Sequence, residues 1–96
     1  MAEYLIRRTD GEWFDLHRDA YGSVFLRPKT DDRQVEGHGD YRFIRDGVEI
    51  EVNYEDPGLH IIVEDDAPST KVESWLCEFV ERLESVTGQD AELRWL

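Results

Sequence analysis

Two short turn sequences constrain this chain most, because together they define three strands within residues 40–64. The first is Asp46-Gly47, which favours a two-residue hairpin loop because both central positions of a type I′ turn need positive φ. The pairs that this loop predicts are Tyr41 with Val52, Arg42 with Glu51, Phe43 with Ile50, Ile44 with Glu49, and Arg45 with Val48.

The second turn sequence is Asp56-Pro57-Gly58-Leu59. Proline presets φ at its second position, and glycine supplies the positive φ that a type II turn requires at its third. The register expected from this turn is Tyr54 with Ile61 and Val52 with Val63.

The two turns agree on which residues share a face, although each register comes from its own turn. A slip of one residue in either hairpin would move every side chain of that strand to the other face. One face is apolar and predicts the core: Tyr41, Phe43, Val48, Ile50, Val52, Tyr54, Ile61 and Val63. The opposite face is mixed and acidic, so we expect it to meet water or a partner: Arg42, Ile44, Glu49, Glu51, Asn53, His60, Ile62 and Glu64.

The segment before this meander predicts two further elements. Asp10-Gly11 indicates a hairpin that joins residues 4–8 to residues 12–18, although residues 13–16 are also compatible with a short helix. Residues 23–27 predict another strand, which Pro28 ends. Residues 28–39 are predicted to form a polar, glycine-containing loop that is either functional or mobile, and at Gly37-His38-Gly39 we expect a flexible surface turn.

A helix is predicted after Pro68. Ser69 or Thr70 is the expected N-cap, Thr70 and Glu73 match a capping box, and Gly88 ends the helix. Its apolar stripe has helical spacing and comprises Val72, Trp75, Leu76, Phe79, Val80, Leu83 and Val86. The side chains expected to point outward are those of Ser74, Glu78, Glu81 and Ser85.

Residues 91–96 predict a short terminal strand. The sequence therefore predicts an α+β fold of two layers, in which one helix packs across a mainly antiparallel sheet. Residues 1–96 are expected to form a single domain.

Charge is the main compositional constraint on function. The net charge is −12, and it divides unevenly: residues 1–48 hold ten acidic and eight basic side chains, whereas residues 49–96 hold thirteen and three. Such a field disfavours nucleic acid and anionic membranes and speeds association with a basic protein. It also keeps a small protein soluble without any further role. No apolar run could span a bilayer and no secretory signal is recognisable, so we expect a cytoplasmic protein.

Catalytic and metal-binding patterns are weak in this sequence. Cys77 is the one cysteine, and His17, His38 and His60 lie in separate segments, so neither a disulfide nor a zinc motif is predicted. We expect His60 to lie beside Glu55 on the exposed sheet face. No carboxylate lies within an apolar run, where its pKa would rise as general acid catalysis requires. We therefore expect no enzyme, cofactor or metal.

From about Tyr41 onward the order of elements carries a family resemblance. An aromatic strand, the Asp-Gly turn, an alternating strand, a VNYE segment, an apolar strand ending in acidic residues and an amphipathic helix follow one another. In this pattern the chain resembles small immunity proteins of bacterial polymorphic toxin systems. The resemblance implies a cytoplasmic protein that binds a cognate toxin domain and blocks its active site.

The resemblance and the charge lead to one hypothesis about the binding surface. Many such toxins are nucleases with basic clefts, which an acidic surface could occupy. The predicted contact residues are Glu49, Glu51, Asn53, His60, Ile62, Glu64, Asp65 and Asp66, with Ile44 beside them. An acidic regulatory or adaptor domain that binds a basic protein is the alternative, and a small hydrolase that uses the long loop is a third. Both a monomer and a homodimer are compatible with the surplus aromatic residues Trp13, Phe14, Phe25 and Trp95.

Overall fold

The computed structural model describes residues 1–55, 58–64 and 67–96. It has an α+β architecture, in which a six-stranded antiparallel sheet is covered on one face by helices. The strands are β1 (Ala2–Arg8), β2 (Arg33–Gln34), β3 (Tyr41–Arg45), β4 (Val48–Glu55), β5 (Gly58–Val63) and β6 (Ala91–Trp95), and the helices are α1 (Tyr21–Phe25) and α2 (Ser69–Thr87). The strand order is β2-β3-β4-β5-β1-β6.

The predicted meander is present, with one change of register. Strands β3 and β4 pair as Asp46-Gly47 requires. Strand β5 is shifted by two residues relative to the prediction, because Tyr54 lies opposite Leu59 and Val52 opposite Ile61. A shift of two residues keeps every side chain on its predicted face, and for that reason the apolar and acidic faces are both confirmed.

The shift follows from a shorter connection between β4 and β5. Glu55 already pairs with Gly58, which begins β5 instead of lying inside a four-residue turn. The predicted turn conformation at Asp56 and Pro57 lies outside the described residues. At Gly58 a β-carbon would collide with the backbone carbonyl of Ile6, so glycine is required where β1 approaches β5.

The predicted N-terminal hairpin is wrong. Strand β1 pairs with β5 on one side and with β6 on the other, and residues 12–17 form no strand. Leu5 lies opposite His60 and Arg94, where Leu16 was expected. The apolar alternation of β1 fits any antiparallel neighbour equally well, so it does not select residues 12–18 over β5 and β6.

The strand predicted at residues 23–27 is also wrong, because α1 covers most of this segment. Tyr21, Val24 and Phe25 have i, i+3 and i+4 spacing and are all buried on one side of the helix. Phe25 stacks on Phe43 at a centroid distance of 5.4 Å and meets Phe79 edge-on at 5.0 Å. These ring contacts between the two layers outweigh the strand preference of a five-residue segment.

Helix α2 supplies most of the apolar surface that covers the sheet. Its buried residues are Val72, Trp75, Leu76, Phe79 and Leu83. Val86, predicted for the same stripe, is exposed instead. The helix begins at Ser69 with Pro68 as N-cap and no side-chain cap, so the predicted capping by Ser69 or Thr70 is wrong. Gly88 ends it in the left-handed conformation, as predicted.

The remaining connections run along the surface. Within residues 28–39, β2 forms a two-residue edge of the sheet. Gly37, His38 and Gly39 are exposed, as expected of a surface turn. No helix in the described part of the chain is long and apolar enough to cross a membrane.

Candidate protein-binding surface

The face of the sheet opposite the helices is the candidate site, and we call it the outer face. Core side chains such as Ile6, Phe43 and Ile50 point towards α1 and α2, so their neighbours along each strand point the other way. The outer face comprises Glu3, Leu5, Arg7, Arg33, Arg42, Ile44, Glu49, Glu51, Asn53, Glu55, His60, Ile62, Glu64, Glu92 and Arg94.

Arg42 organises the acidic residues at one end of this face. Its guanidinium lies 2.6 Å from the Glu49 carboxylate, 2.8 Å from Glu51 and 3.6 Å from Glu64. The hydrogen bond to Glu49 raises the pKa of Arg42. One cation therefore holds carboxylates from two strands in fixed positions, and the four groups together keep a net negative charge.

Asn53 and the turn at residues 37–39 support this cluster. The Asn53 amide donates to Glu51 at 2.8 Å and accepts the Asp40 backbone N–H at 3.3 Å. Gly39 lies so close to Glu51 that a β-carbon would meet its side chain at 2.5 Å. The side chain of Glu51 is consequently only 13% exposed. Glu51 and Asn53 thus position their neighbours and present little surface to a partner.

His60 lies at the centre of the outer face between two carboxylates. Its Nδ1 is 3.6 Å from Glu55, as the sequence predicts, and its Nε2 is 3.3 Å from Glu3. The carboxylates are far more exposed than the imidazole, at 59% and 45% against 17%. Leu5 and Ile62 are half-buried beside it. The centre of the face therefore combines the imidazole with two aliphatic side chains, and carboxylates lie around it.

The structure brings most of the predicted contact residues together and adds a strand to them. Glu49, Glu51, Asn53, His60, Ile62 and Glu64 share the outer face, and Asp65 and Asp66 lie outside the described residues. Sequence reasoning missed Glu3 and Leu5, because it paired β1 with the wrong segment. Their alternation with the core residues Tyr4 and Ile6 indicates only that one face of β1 is buried. It does not indicate which strand pairs with β1.

A second charged cluster lies on the helix side, where the sequence predicts only apolar residues. Arg45 is fully buried. Its Nε is 3.3 Å from Asp32, its Nη2 donates to the Phe25 carbonyl at 2.9 Å, and its guanidinium lies 4.8 Å from the Phe79 ring centroid. It also lies 3.2 Å from Glu78, so the prediction that Glu78 points outward is wrong.

Asp32 joins this cluster to Arg27 and is almost completely buried, with its side chain 1% exposed. Arg27 donates to it from Nε at 2.9 Å, from Nη2 at 2.8 Å and from its backbone N–H at 3.0 Å. Burial raises the pKa of Asp32, but these hydrogen bonds and the charge of Arg45 outweigh it and bring the pKa to about 2. Asp32 thus connects the loop before β2 to the core.

This lowered pKa predicts acid sensitivity. An Asp with a folded-state pKa below its unfolded value of 3.8 stabilises the fold above that value and loses the contribution as the pH falls towards 2. We expect the free energy of unfolding to drop by on the order of 2 kcal/mol between pH 4 and pH 2 from this group. Urea unfolding of the wild type and of Asp32→Asn checks this. Equal losses in both proteins over that interval would assign the acid sensitivity to other groups.

The described residues contain no group of three or more His, Cys, Asp or Glu side chains that could hold a metal ion. Cys77 is exposed on α2. No protein-family model, curated protein or solved structure matches this chain.

Proposed function

We propose that this chain is a non-enzymatic acidic protein that binds a basic protein partner through the outer face. We further propose that the partner is a cognate bacterial toxin domain, possessing a basic active-site cleft, which the chain neutralises in the cytoplasm. The observation that carries the binding proposal is the outer face itself, which neither helix covers. The toxin and its location rest on the family resemblance in residues 41–96.

The arrangement of charge supports binding to a cationic surface. Arg42 holds three carboxylates, those of Glu49, Glu51 and Glu64, so a partner need not order them, and the carboxylates of Glu3 and Glu55 lie beside His60. Preorganised charges attract a complementary partner at smaller entropic cost than mobile ones. The half-buried Leu5, Ile44 and Ile62 supply apolar contact area between them. Carboxylates around an apolar centre resemble a polar rim around an interface core.

Carboxyl chemistry argues against the hydrolase alternative. A general acid needs a carboxyl with a raised pKa. In the described part of the chain, the displaced carboxyl pKa values are lowered, because hydrogen bonds from arginines or backbone N–H groups stabilise the charged forms at Asp10, Asp32, Asp46 and Glu92. These groups suit ion pairing and not proton donation.

Growth of a bacterial host tests the toxin proposal. The open reading frame next to this gene is expressed alone and together with the chain. We expect toxicity that co-expression relieves. A harmless neighbour, or toxicity that persists, contradicts the toxin proposal and favours the adaptor alternative.

Salt dependence tests the acidic surface separately. The chain and the neighbouring gene product are purified, and their dissociation constant is measured between about 0.05 and 0.5 M salt. We expect weaker binding as salt rises, because salt screens exposed charges. Binding that does not change with salt would contradict a role for the acidic face even if the chain relieves toxicity.

A further inference from the structure

The sheet has two unlike edges. Strand β2 ends one side with only two residues, whereas β6 ends the other with five. Among the described residues, β6 pairs with β1 alone. Near its end Trp95 and Leu96 are 61% and 68% exposed. A long edge strand with exposed apolar residues is a template for pairing with another strand.

The hydrogen bonds between β1 and β6 show which backbone groups of β6 point away from β1, at the edge of the sheet. The Thr9 N–H donates to the Asp90 carbonyl and the Leu96 N–H to the Glu3 carbonyl, so Asp90 and Leu96 direct their backbone groups towards β1. Antiparallel pairs alternate between bonded and non-bonded. The backbone groups of Ala91, Leu93 and Trp95 consequently point away from the sheet.

We propose that β6 pairs with β6 of a second copy of this chain, antiparallel and centred on Leu93, to give a homodimer with one continuous sheet. In this register Leu93 lies opposite Leu93, and Ala91 opposite Trp95. Ala91, Leu93 and Trp95, whose backbone groups point away from β1, then exchange backbone hydrogen bonds with the second copy. This proposal goes beyond toxin binding and does not depend on it.

Charge complementarity selects a second copy as the occupant. The same register places Glu92 of each chain directly opposite Arg94 of the other, on the outer face. Within one chain Arg94 is half exposed and pairs with its own Glu92 at 3.2 Å, so it can reach a neighbouring carboxylate without leaving a buried site. Opposite charges directly across strands stabilise a pair, and like charges destabilise it.

Side-chain size is complementary on the helix side. Ala91 and Leu93 line a groove of about 290 Å³ against Cys77 and Val80 of α2. The small side chain of Ala91 leaves room there for the indole of Trp95 from the second copy. One competing contact is present: the Ala91 N–H donates to the Glu84 carboxylate at 3.0 Å. The Glu84 carboxylate must move aside before Ala91 can form backbone hydrogen bonds with Trp95 of the second copy. The central pair of Leu93 residues can form without this movement.

Sedimentation equilibrium at about 0.15 M salt tests the proposal, because that salt screens the repulsion between two chains of net charge −12. We expect the wild type to reach twice the chain mass of 11.3 kDa at high micromolar concentration. Arg94→Glu places carboxylates opposite each other at both ends, so its dimer dissociation constant should rise at least about tenfold. Arg33→Glu makes the same charge change at the opposite edge and should dimerise like the wild type.

Mixing two variants gives the sharper test. Arg94→Glu and Glu92→Arg chains each oppose like charges when they self-pair, but together they oppose opposite charges at both positions. We expect each to be mainly monomeric and their mixture to form a heterodimer. A monomeric wild type, an unaffected Arg94→Glu variant or a mixture that stays monomeric would overturn the proposal.

Amide hydrogen exchange locates the contact. The Leu93 and Trp95 amides should become protected as the wild type dimerises, whereas the Glu92 and Arg94 amides, which bond β1, should be protected at every concentration. Dimerisation without new protection at Leu93 would place the interface elsewhere and overturn the edge pairing.

Discussion

Asp32→Ala should lower the free energy of unfolding by about 3 to 5 kcal/mol, the cost of removing one partner from a buried ion pair. The substitution leaves the Nε of Arg45 without its 3.3 Å carboxylate contact in the core. It also removes the acceptor of the Arg27 backbone N–H and of two side-chain hydrogen bonds. Stabilities of small domains are about 5–15 kcal/mol, so this loss is a large fraction of the total. Urea unfolding at pH 7 measures it.

Arg45→Met should cost less, about 1 to 2 kcal/mol. A methionine side chain fits between Phe79 and Trp75, whose rings now lie against the guanidinium. Asp32 keeps all its hydrogen bonds from Arg27, so no buried charge is left alone. The remaining cost is the donor that the Phe25 carbonyl loses and the contact with Glu78, whose carboxylate keeps Arg82 at 3.1 Å. The two substitutions are therefore expected to differ in cost. Arg45→Met leaves Asp32 with its hydrogen bonds from Arg27, whereas Asp32→Ala removes the acceptor of Arg27 and leaves Arg45 with the half-buried Glu78 as its charged partner.

Asp31→Ala is the matched control. Its side chain is exposed next to Asp32 in the sequence, so the same chemical change should alter the free energy of unfolding by no more than about 0.5 kcal/mol. If Arg45→Met proved as costly as Asp32→Ala, the hydrogen bonds from Arg27 would not compensate Asp32 for the loss of Arg45, and the expected difference between the two substitutions would be wrong.

Local signals explain how much of the fold could be predicted. Asp46-Gly47 fixes a register because its loop has two residues and one preferred geometry, and β3 and β4 pair accordingly. Helix α2 follows from a long apolar period and ends at Gly88. In each of these cases the residues that determine the structure are neighbours in sequence.

The errors arise where distant contacts decide the outcome. Strand β1 pairs with β5 and β6, far along the chain, and nothing within its seven residues names those strands. Helix α1 forms because Phe25 packs on Phe43 and Phe79. The sequence predicts only that Arg45 pairs with Val48, and the fold brings Asp32 and Glu78 to it.

The candidate site was predictable to the extent that it lies on the meander. Strand alternation alone places Glu49, His60 and Glu64 on one face, and the two-residue error in the β5 register leaves that face unchanged. Glu3 joins them only through the β1–β5 pairing. The residue type also does not indicate how exposed a side chain is, so the low exposure of Glu51 beside Arg42 could not be predicted.

Charge reversal on the outer face should have the largest effect on binding. Glu3 and Glu55 are exposed, Glu64 is half-buried beside Arg42, and all three lie around the centre of the outer face. Changing all three to lysine should weaken binding to the neighbouring gene product by about 100-fold or more at low salt. This loss corresponds to about 3 kcal/mol, shared over three contacts with a cationic surface. Glu51 is left unchanged, because its carboxylate is needed by Arg42 inside the sheet.

A second triple variant separates position from total charge. Glu12, Asp19 and Glu73 are exposed and lie off the outer face, and changing them to lysine alters the net charge by the same amount. If the outer face is the contact, this control should weaken binding by no more than about tenfold, through the long-range field alone. The dissociation constant of this control should also change with salt concentration much as that of the wild type does. Equal losses in both triple variants would mean that the partner responds to net charge and that the contact lies elsewhere.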